Sequence, residues 1–431
     1  HPDPLTYVFQ LRPDVQWQDL APANARPVTA ADVAFSLERL RTPGWPGAAL
    51  LDSVDTVEVS GDLMLTLALK YPDADLLLAL ANGQSKVVAP EVVSSGGSLK
   101  NGPTIGTGPW VLRNDNLRDM LFEANPAYYE PGLPGLQSLR IAVIESSDTR
   151  LAAVLTGRAD LAPLDIAALD RLPDSGPLIR WSDFPQQGSG IVMALKAGRP
   201  PFDRLEVRQA FFQALDPWWA LEQVWDGQGS VGVGVPAAAN DWLLSELELT
   251  RYLTDSNRAV ALLDQVAVHT PVQFTLSVAD YSDRHLALGN AFKDMLDDVG
   301  FQTTIETLNP REYVEELWRD GDFDAFIGPI PPVHNPNAYL FGILHSQGRL
   351  SITGYADPQL DRLIEEQSVA EETRAGLVRD IQRRVLDNAV LFMPVTGTSL
   401  WAWQPRVEGF APNFSASEYF YWARLRVKAS E

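Results

Sequence analysis

PPFDRLEVRQAFFQAL, residues 200–215, with Asp216-Pro217 directly behind it, decides how the middle of this chain folds. Asp203 can accept hydrogen bonds from the free N–H groups of a first helical turn, and Glu206 stands three residues on, so the spacing predicts a capping box and a helix start. Val207, Ala210, Phe211, Ala214 and Leu215 recur at spacings of three and four and line one helical face, while Arg204, Arg208 and Gln213 fall elsewhere. Asp216 then reads as a new N-cap with Pro217 at the first helical position, so a second helix, WWALEQVW, sets off at once in a new direction. In physical terms the stretch is a helical corner built into a core.

The whole sequence can supply that core. Its 431 residues exceed one ordinary domain, and 45% hydrophobic against 21% charged residues is a globular balance. No window approaches the roughly 18 uninterrupted apolar residues of a membrane span. Fifty-six acidic against 34 basic residues leave a formal charge of −22, which argues against nucleic acid as a partner, because phosphate must be neutralised by Lys and Arg. Zero cysteines excludes disulfides, thiolate catalysis and cysteine-ligated metals without fixing a compartment. The opening His1-Pro2-Asp3-Pro4 is neither basic nor followed by an apolar run, so no signal peptide is visible.

Ahead of the central stretch, residues 5–11 alternate with Tyr7, Phe9 and Leu11 on one side, as a half-buried strand does. Thr29 and Asp32 form a capping box for a helix with Val33, Leu37 and Leu40 inward. Residues 54–59 and 63–69 read as a hairpin around Ser60-Gly61-Asp62, residues 141–144 as a short buried strand, and residues 149–155 as a helix ending at Gly157. Beyond the central stretch the order is helix 257–263, strand 272–278, helix 284–299 with Gly300 as its left-handed stop, strand 301–307, helix 313–317 and strand 323–327. Repeated strand-helix-strand order argues an α/β lobe.

The wording of several segments is specific. PPF-D-x-x-x-VRQA at 200–210, YVFQLRPDVQW at 7–17, PVTAADVAFS at 27–36, GTGPW at 106–110, NPAYY at 125–129 and YADPQLD at 355–361 together resemble the signature of the family 5 extracellular solute-binding proteins, the dipeptide-, oligopeptide- and nickel-binding receptors of ABC importers. The resemblance runs through nearly all of the chain but enters the family pattern late, with the family's N-terminal segment missing. Residues 20–26, LAPANAR, are inserted after Asp19, and Glu123 replaces a usual arginine. GTGPW as a phosphate cradle is disfavoured, since no lysine follows and its proline removes a donor.

What the resemblance implies is a periplasmic binding protein-like α/β fold of type II, a three-part cluster with two hinged lobes. The implied division is 1–110 as a small accessory lobe with the return to the large lobe, 111–188 with 395–431 as large lobe I, and 189–394 as lobe III. Hinges are expected at 185–190 and 393–397, where glycines can absorb dihedral changes. The implied function is capture of an oligopeptide or similar small solute in a cleft between lobes and delivery to ABC permease subunits. It would take place at the periplasmic or extracellular face of the cell membrane, by a monomer whose membrane association, if any, runs through a lipid anchor.

In peptide-binding members an aspartate before a D-P or E-P turn holds the ligand's ammonium group. Here that position falls on Pro332 or Val333, neither of which can be anionic, and the arginine that holds a ligand carboxylate falls on Phe326 or Ile327. This leaves His334 and Asn335 as the local polar groups, with Asn335 equally suited to capping its own turn. Arg284 and His285 open a helix whose start faces the cleft in relatives; a guanidinium there suits an anion, and the plainer alternative pairs Arg284 with Asp280 or Asp283. Trp225 and Trp242 flank GQGSVGVGVP, a segment resembling a family turn, and join Gln187 as ligand-binding candidates. No G-x-S-x-G, H-E-x-x-H or S-x-x-K occurs, and five histidines lack metal-ligand spacing, so no catalytic residue, metal or cofactor is expected. The rival readings are a sugar, blocked peptide or other non-peptide solute in the same class, a secreted α/β hydrolase, and a ligand-sensing partner of a membrane receptor.

Overall fold

The structure is a computed structural model. It describes all residues except 1, 43–44, 46, 97–98, 100–101, 115, 117, 166–167, 169–170, 174–177, 238–239, 267–270, 332, 334, 371, 412–419 and 429–431. Two compact units emerge, residues 1–184 with 399–431 and residues 185–398. The chain passes from one to the other within the long strands Arg180–Leu195 and Leu391–Trp403.

In the first unit, Thr6–Gln10 pairs antiparallel with Met64–Leu69, which pairs on its other edge with Val54–Val59. Leu65, Leu67 and Leu69 alternate inward and meet Leu37 and Leu40 of helix Ala30–Leu40. The expected capping box forms: Asp32 Oδ2 accepts from the Thr29 N–H at 2.9 Å. Asp32 also takes two 2.8 Å bonds from the Arg26 guanidinium and one at 3.3 Å from buried Trp17 Nε1. Arg26 simultaneously grips Glu91 at 2.5 and 2.7 Å. The inserted segment 20–26 thus supplies the cation that holds the capping carboxylate. Burial works to raise the Asp32 pKa, but bonds from Arg26, the Thr29 N–H and Trp17 overcome it and keep the carboxyl below its ordinary value.

A second antiparallel sheet joins Trp110–Asn114, Asp119–Ala124 and Ser138–Ala142. Glu123 pairs with Arg113 at 2.8 Å across it. The strand expected buried at 141–144 is instead Ser138–Ala142, an edge strand with no buried residue, because neighbouring Asp119–Ala124 also faces solvent on alternate residues. Helix Ser147–Leu155 and strand Leu161–Leu164 follow, the strand pairing with residues 400–403.

In the second unit, Phe301–Leu308 and Ala325–Pro329 flank Val272–Ala279 in parallel. Ile191–Leu195 then runs antiparallel to 325–329. Phe202, Phe211, Phe274 and Phe301 meet edge to face at 5.2–5.8 Å between ring centres. This docks the central stretch on the sheet. Helix Leu205–Ala214 does not open on the expected Asp203/Glu206 box: Arg204 is its N-cap, without a side-chain cap bond, and Arg208 N–H finds Arg204 O at 3.2 Å. Arg208 and Gln213, outside the apolar stripe, are buried as well. Each is satisfied by backbone: Arg208 donates to Phe202 O at 2.8 Å and Asn388 O at 2.9 Å, and Gln213 to Arg251 O at 2.9 Å. Asp216 caps helix Pro217–Trp225 as expected, accepting from Trp219 N–H at 2.9 Å.

Helix Asp283–Asp297 buries Leu288, Phe292 and Leu296, and Gly300 at φ +113° turns the chain into the next strand. At the expected hinges the glycines have a packing role. A Cβ on Gly190, at φ +143°, would lie 2.3 Å from Val395 O, and one on Gly397 would lie 2.4 Å from Ser189 Oγ. GQGSVGVGVP, expected as a turn, lies along residues 393–396 instead. Gly232 and Met393 exchange bonds at 3.0 and 2.7 Å, and Ser230 O accepts from Thr396 N–H at 2.9 Å.

Replacing Asp32 with Ala should destabilise the protein by about 2–3 kcal/mol, near the lower end for breaking a buried ion pair, since Arg26 keeps some solvent contact. Because the folded pKa is depressed, the wild-type advantage is present above the ordinary carboxyl range and disappears as pH falls through the folded value. Denaturant melts of both proteins from pH 7 to 3 check this; a gap that does not narrow would contradict it.

Candidate functional site

In a sheet with parallel strands, the loops at the strands' carboxyl ends gather into a natural binding edge, because no strand continues there to occupy the space. In the second unit that edge comprises the segments after Ala279, Leu308 and Pro329. Each is shaped by local capping. Asn309 accepts from the N–H groups of Arg311 and Glu312, and Asn335 Oδ1 accepts from Ala338 N–H at 2.7 Å. Asp280 N–H is held by Leu308 O at 2.8 Å, which ties two of the loops together.

From Ala279 the chain turns through Tyr281 and Ser282 into helix Asp283–Asp297. Ser282 Oγ and His285 Nδ1 share a 2.8 Å hydrogen bond that fixes the imidazole. The ring stands edge-on to Trp225 at 5.8 Å and tilted against Tyr281 at 6.0 Å. Tyr281 in turn meets Tyr313 at 6.0 Å, and Tyr313 meets Phe326 at 6.1 Å, so the aromatic series runs from the surface into the core. Glycine at 328 makes this fit: a Cβ there would lie 2.6 Å from the Tyr313 ring. Tyr313 Oη donates to Pro329 O at 3.1 Å, anchoring the third loop.

Beside the rings is an ion pair. Asp226 closes helix Pro217–Trp225 in the left-handed conformation, φ 53°, and its Oδ2 takes Arg284 Nη2 at 2.5 Å. Arg284 Nη1 is buried and makes no hydrogen bond among the described residues. Half of the Asp226 side chain remains exposed, 52%. Burial pushes the His285 pKa below its ordinary value, with nearby Asp280 opposing weakly, so the ring favours the neutral form. The site therefore offers flat apolar faces, a neutral imidazole and a matched pair of opposite charges. Such a set is chemically suited to a small molecule carrying charge and an apolar body.

The structure brings Trp225, Arg284 and His285 together. Arg284 pairs with Asp226 rather than with Asp280 or Asp283, because helix Pro217–Trp225 packs against the start of its own helix and delivers Asp226 there. Trp242 is held elsewhere, its ring under the Arg374 guanidinium at 5.1 Å and its carbonyl accepting from Gln382 at 2.7 Å. Asn335 is buried with its oxygen engaged as the cap of helix Pro336–Tyr339. Gln187 lies in strand Arg180–Leu195 and its side chain is outside the description; His334 lies outside the described residues. Asp226 and Tyr281 were not singled out by sequence. Asp226-Gly227 is the signal that was available, a helix ending where a left-handed residue is needed. No cluster of three metal-ligating side chains occurs among the described residues. Nor is any helix there long and apolar enough to cross a membrane.

A titration of His285 by NMR should give a midpoint below about 6.5. Since the folded pKa is lowered, the unfolded chain takes up its proton first as pH falls, and stability contributed by His285 is lost between the ordinary value and the folded one. His285→Gln should flatten that part of the pH–stability curve; an unchanged slope would show the ring is not desolvated.

Residues 1–350 match the family described as bacterial extracellular solute-binding proteins, family 5 Middle. "Probable di/tripeptide-binding protein 5" of Pseudomonas aeruginosa is 26% identical, the alignment covering 99% of this chain and 85% of that protein. The structure of HbpA2 from Haemophilus parasuis superimposes with a TM-score of 0.84 at 19% identity, covering 100% of this chain and 89% of that one. NikA from Brucella suis, solved in complex with Fe(III)-EDTA, gives 0.80 at 22%, covering 99% and 89%. These likenesses establish the α/β fold of the periplasmic binding proteins. The chain belongs to the family 5 bacterial extracellular solute-binding proteins.

Proposed function

We propose that this chain is the capture subunit of an ABC importer, working outside the cytoplasmic membrane. It takes up a short peptide or a similar charged small solute and hands it to the permease without covalent chemistry. The observation that carries the reading is the Asp226–Arg284 pair rimmed by Trp225, Tyr281 and His285. A zwitterion is the natural complement of such a pair: its carboxylate competes with Asp226 for the guanidinium, and its ammonium takes the carboxylate so released. The aromatic faces then cover an apolar side chain. Relatedness to the Pseudomonas aeruginosa protein over nearly the whole chain supports a peptide as the solute.

A second reading rests on one observation. The acid expected before the D-P turn is replaced by Pro332 or Val333, and Val333 packs against the apolar core of the second unit. A solute without a free amine, such as a blocked peptide or a sugar acid, would not need that acid. It would use Arg284 alone.

Native mass spectrometry of the purified protein, followed by release and identification of any retained small molecule, separates the two. Free-amine peptides would support the first reading, and a non-amine solute the second. With the released solute as probe, Arg284→Ala should weaken binding at least about tenfold, about 1.4 kcal/mol. Asp226→Asn should weaken a free-amine peptide similarly and leave its N-acetylated form unaffected. Unchanged affinity in both variants would remove this pair from the site.

A further inference from the structure

At the far end of the same unit, near where strands 272–279 and 325–329 begin, a cavity of about 190 Å³ opens between helices Leu205–Ala214 and Ser256–Gln265 and the end of helix Arg374–Asp387. Its walls include Gln209, Arg251, Tyr252, Arg258 and Asp387.

The polar groups around it are unevenly satisfied. Gln213 is buried and bonds Arg251 O at 2.9 Å, and Gln209 bonds Asp387 O at 2.8 Å, so the backbone under the cavity is fixed from two sides. Ala389, in the left-handed conformation at φ 47°, turns the wall segment into strand Leu391–Trp403. Arg251 and Arg258, by contrast, make no ion pair and no side-chain hydrogen bond among the described residues. In a chain with a formal charge of −22, carboxylates are plentiful, and guanidiniums such as those of Arg26, Arg284, Arg383 and Arg384 have them. Two cations without an ion pair therefore line one small cavity, which also carries the Asp387 carboxylate. Burial and the Asp387 carboxylate, to which the phenol is hydrogen-bonded, raise the Tyr252 pKa, so this hydroxyl is engaged on the wall.

We propose that this cavity is a binding site for a small oxyanion of charge two or more, an inorganic phosphate or a short dicarboxylate, held by Arg251 and Arg258. Two charge-assisted contacts suit such an ion, and the two guanidiniums outnumber the single Asp387 carboxylate on the wall. A bound oxyanion ties the turn carrying Arg251 to helix Ser256–Gln265 and stabilises the unit by binding only its folded form. The site is independent of the solute site and stands whichever solute reading holds.

The test is calorimetric titration of the full chain with inorganic phosphate and, separately, with malonate through the millimolar range, in chloride buffer at low ionic strength, with thermal melts alongside. Saturable binding by either ion, with a matching rise in Tm, is expected, and the ion preferred identifies the source. Arg251→Gln with Arg258→Gln should weaken binding by at least about tenfold, while Arg284→Ala leaves it unchanged. The double variant replaces exposed side chains without internal partners, so its far-UV circular dichroism and ion-free Tm should match wild type. Absence of saturable binding by both ions, or binding that survives the double substitution, would overturn the proposal.

Discussion

A buried guanidinium without a carboxylate organises the second unit. Arg208 lies inside the protein and is held by two backbone carbonyls, Phe202 O before its own helix and Asn388 O at the far end of another. Burial lowers its pKa without removing its charge, so both carbonyls must stay in place or the charge is left unsatisfied. The chain separation is 180 residues, so one side chain sets where helix Leu205–Ala214 lies relative to the start of strand Leu391–Trp403. The four phenylalanines then bury that helix against the sheet without choosing a register. Directional bonds choose it.

The sheet so fixed determines what its two ends can do. At the carboxyl end, three loops are pinned by caps and by Tyr313, and Asp226 meets Arg284 beside three rings. The opposite end holds Arg251 and Arg258 around a small cavity lined also by Gln209, Tyr252 and Asp387. Charge is arranged differently at the two places. The first pairs its cation and anion, Arg284 with Asp226. The second leaves Arg251 and Arg258 without ion pairs among the described residues, beside the Asp387 carboxylate.

Much of this was legible in the sequence, for physical reasons that differ by feature. Thr29-Ala30-Ala31-Asp32 and Asp216-Pro217 are local instructions; caps act within one turn, and both formed as read. The helix expected at 284–299 was equally clear, since 3.6-residue periodicity does not depend on what packs against it, and it forms as Asp283–Asp297. Asp203 and Glu206 misled because a capping box describes what a free helix would do, and here Arg204 is drawn to Val266 O at 3.0 Å. Arg208 and Gln213 could not be read as buried, since only partners far along the chain make burial tolerable. The same holds for the site. Arg284 and His285 were visible as polar residues at a helix start, but Asp226 reaches them from 58 residues away, and no local pattern announces such a pairing. Asn335 read equally as ligand or cap, and the cap is what its oxygen does.

The segment Gly227–Val235 has a consequence beyond shaping its end of the unit. By exchanging backbone bonds with Met393 and Thr396 it occupies hydrogen-bonding groups that strand Leu391–Trp403 would otherwise present to solvent. Exposed strand edges recruit other strands, and a molecule carrying one is prone to stack on its neighbours. Gly229 and Gly234 are what let the covering segment come close, since a Cβ would lie 2.8 Å from Thr396 O at the first and 2.7 Å from Met393 Cε at the second. These glycines therefore guard against self-association, and a side chain at either would trade a closed edge for a sticky one.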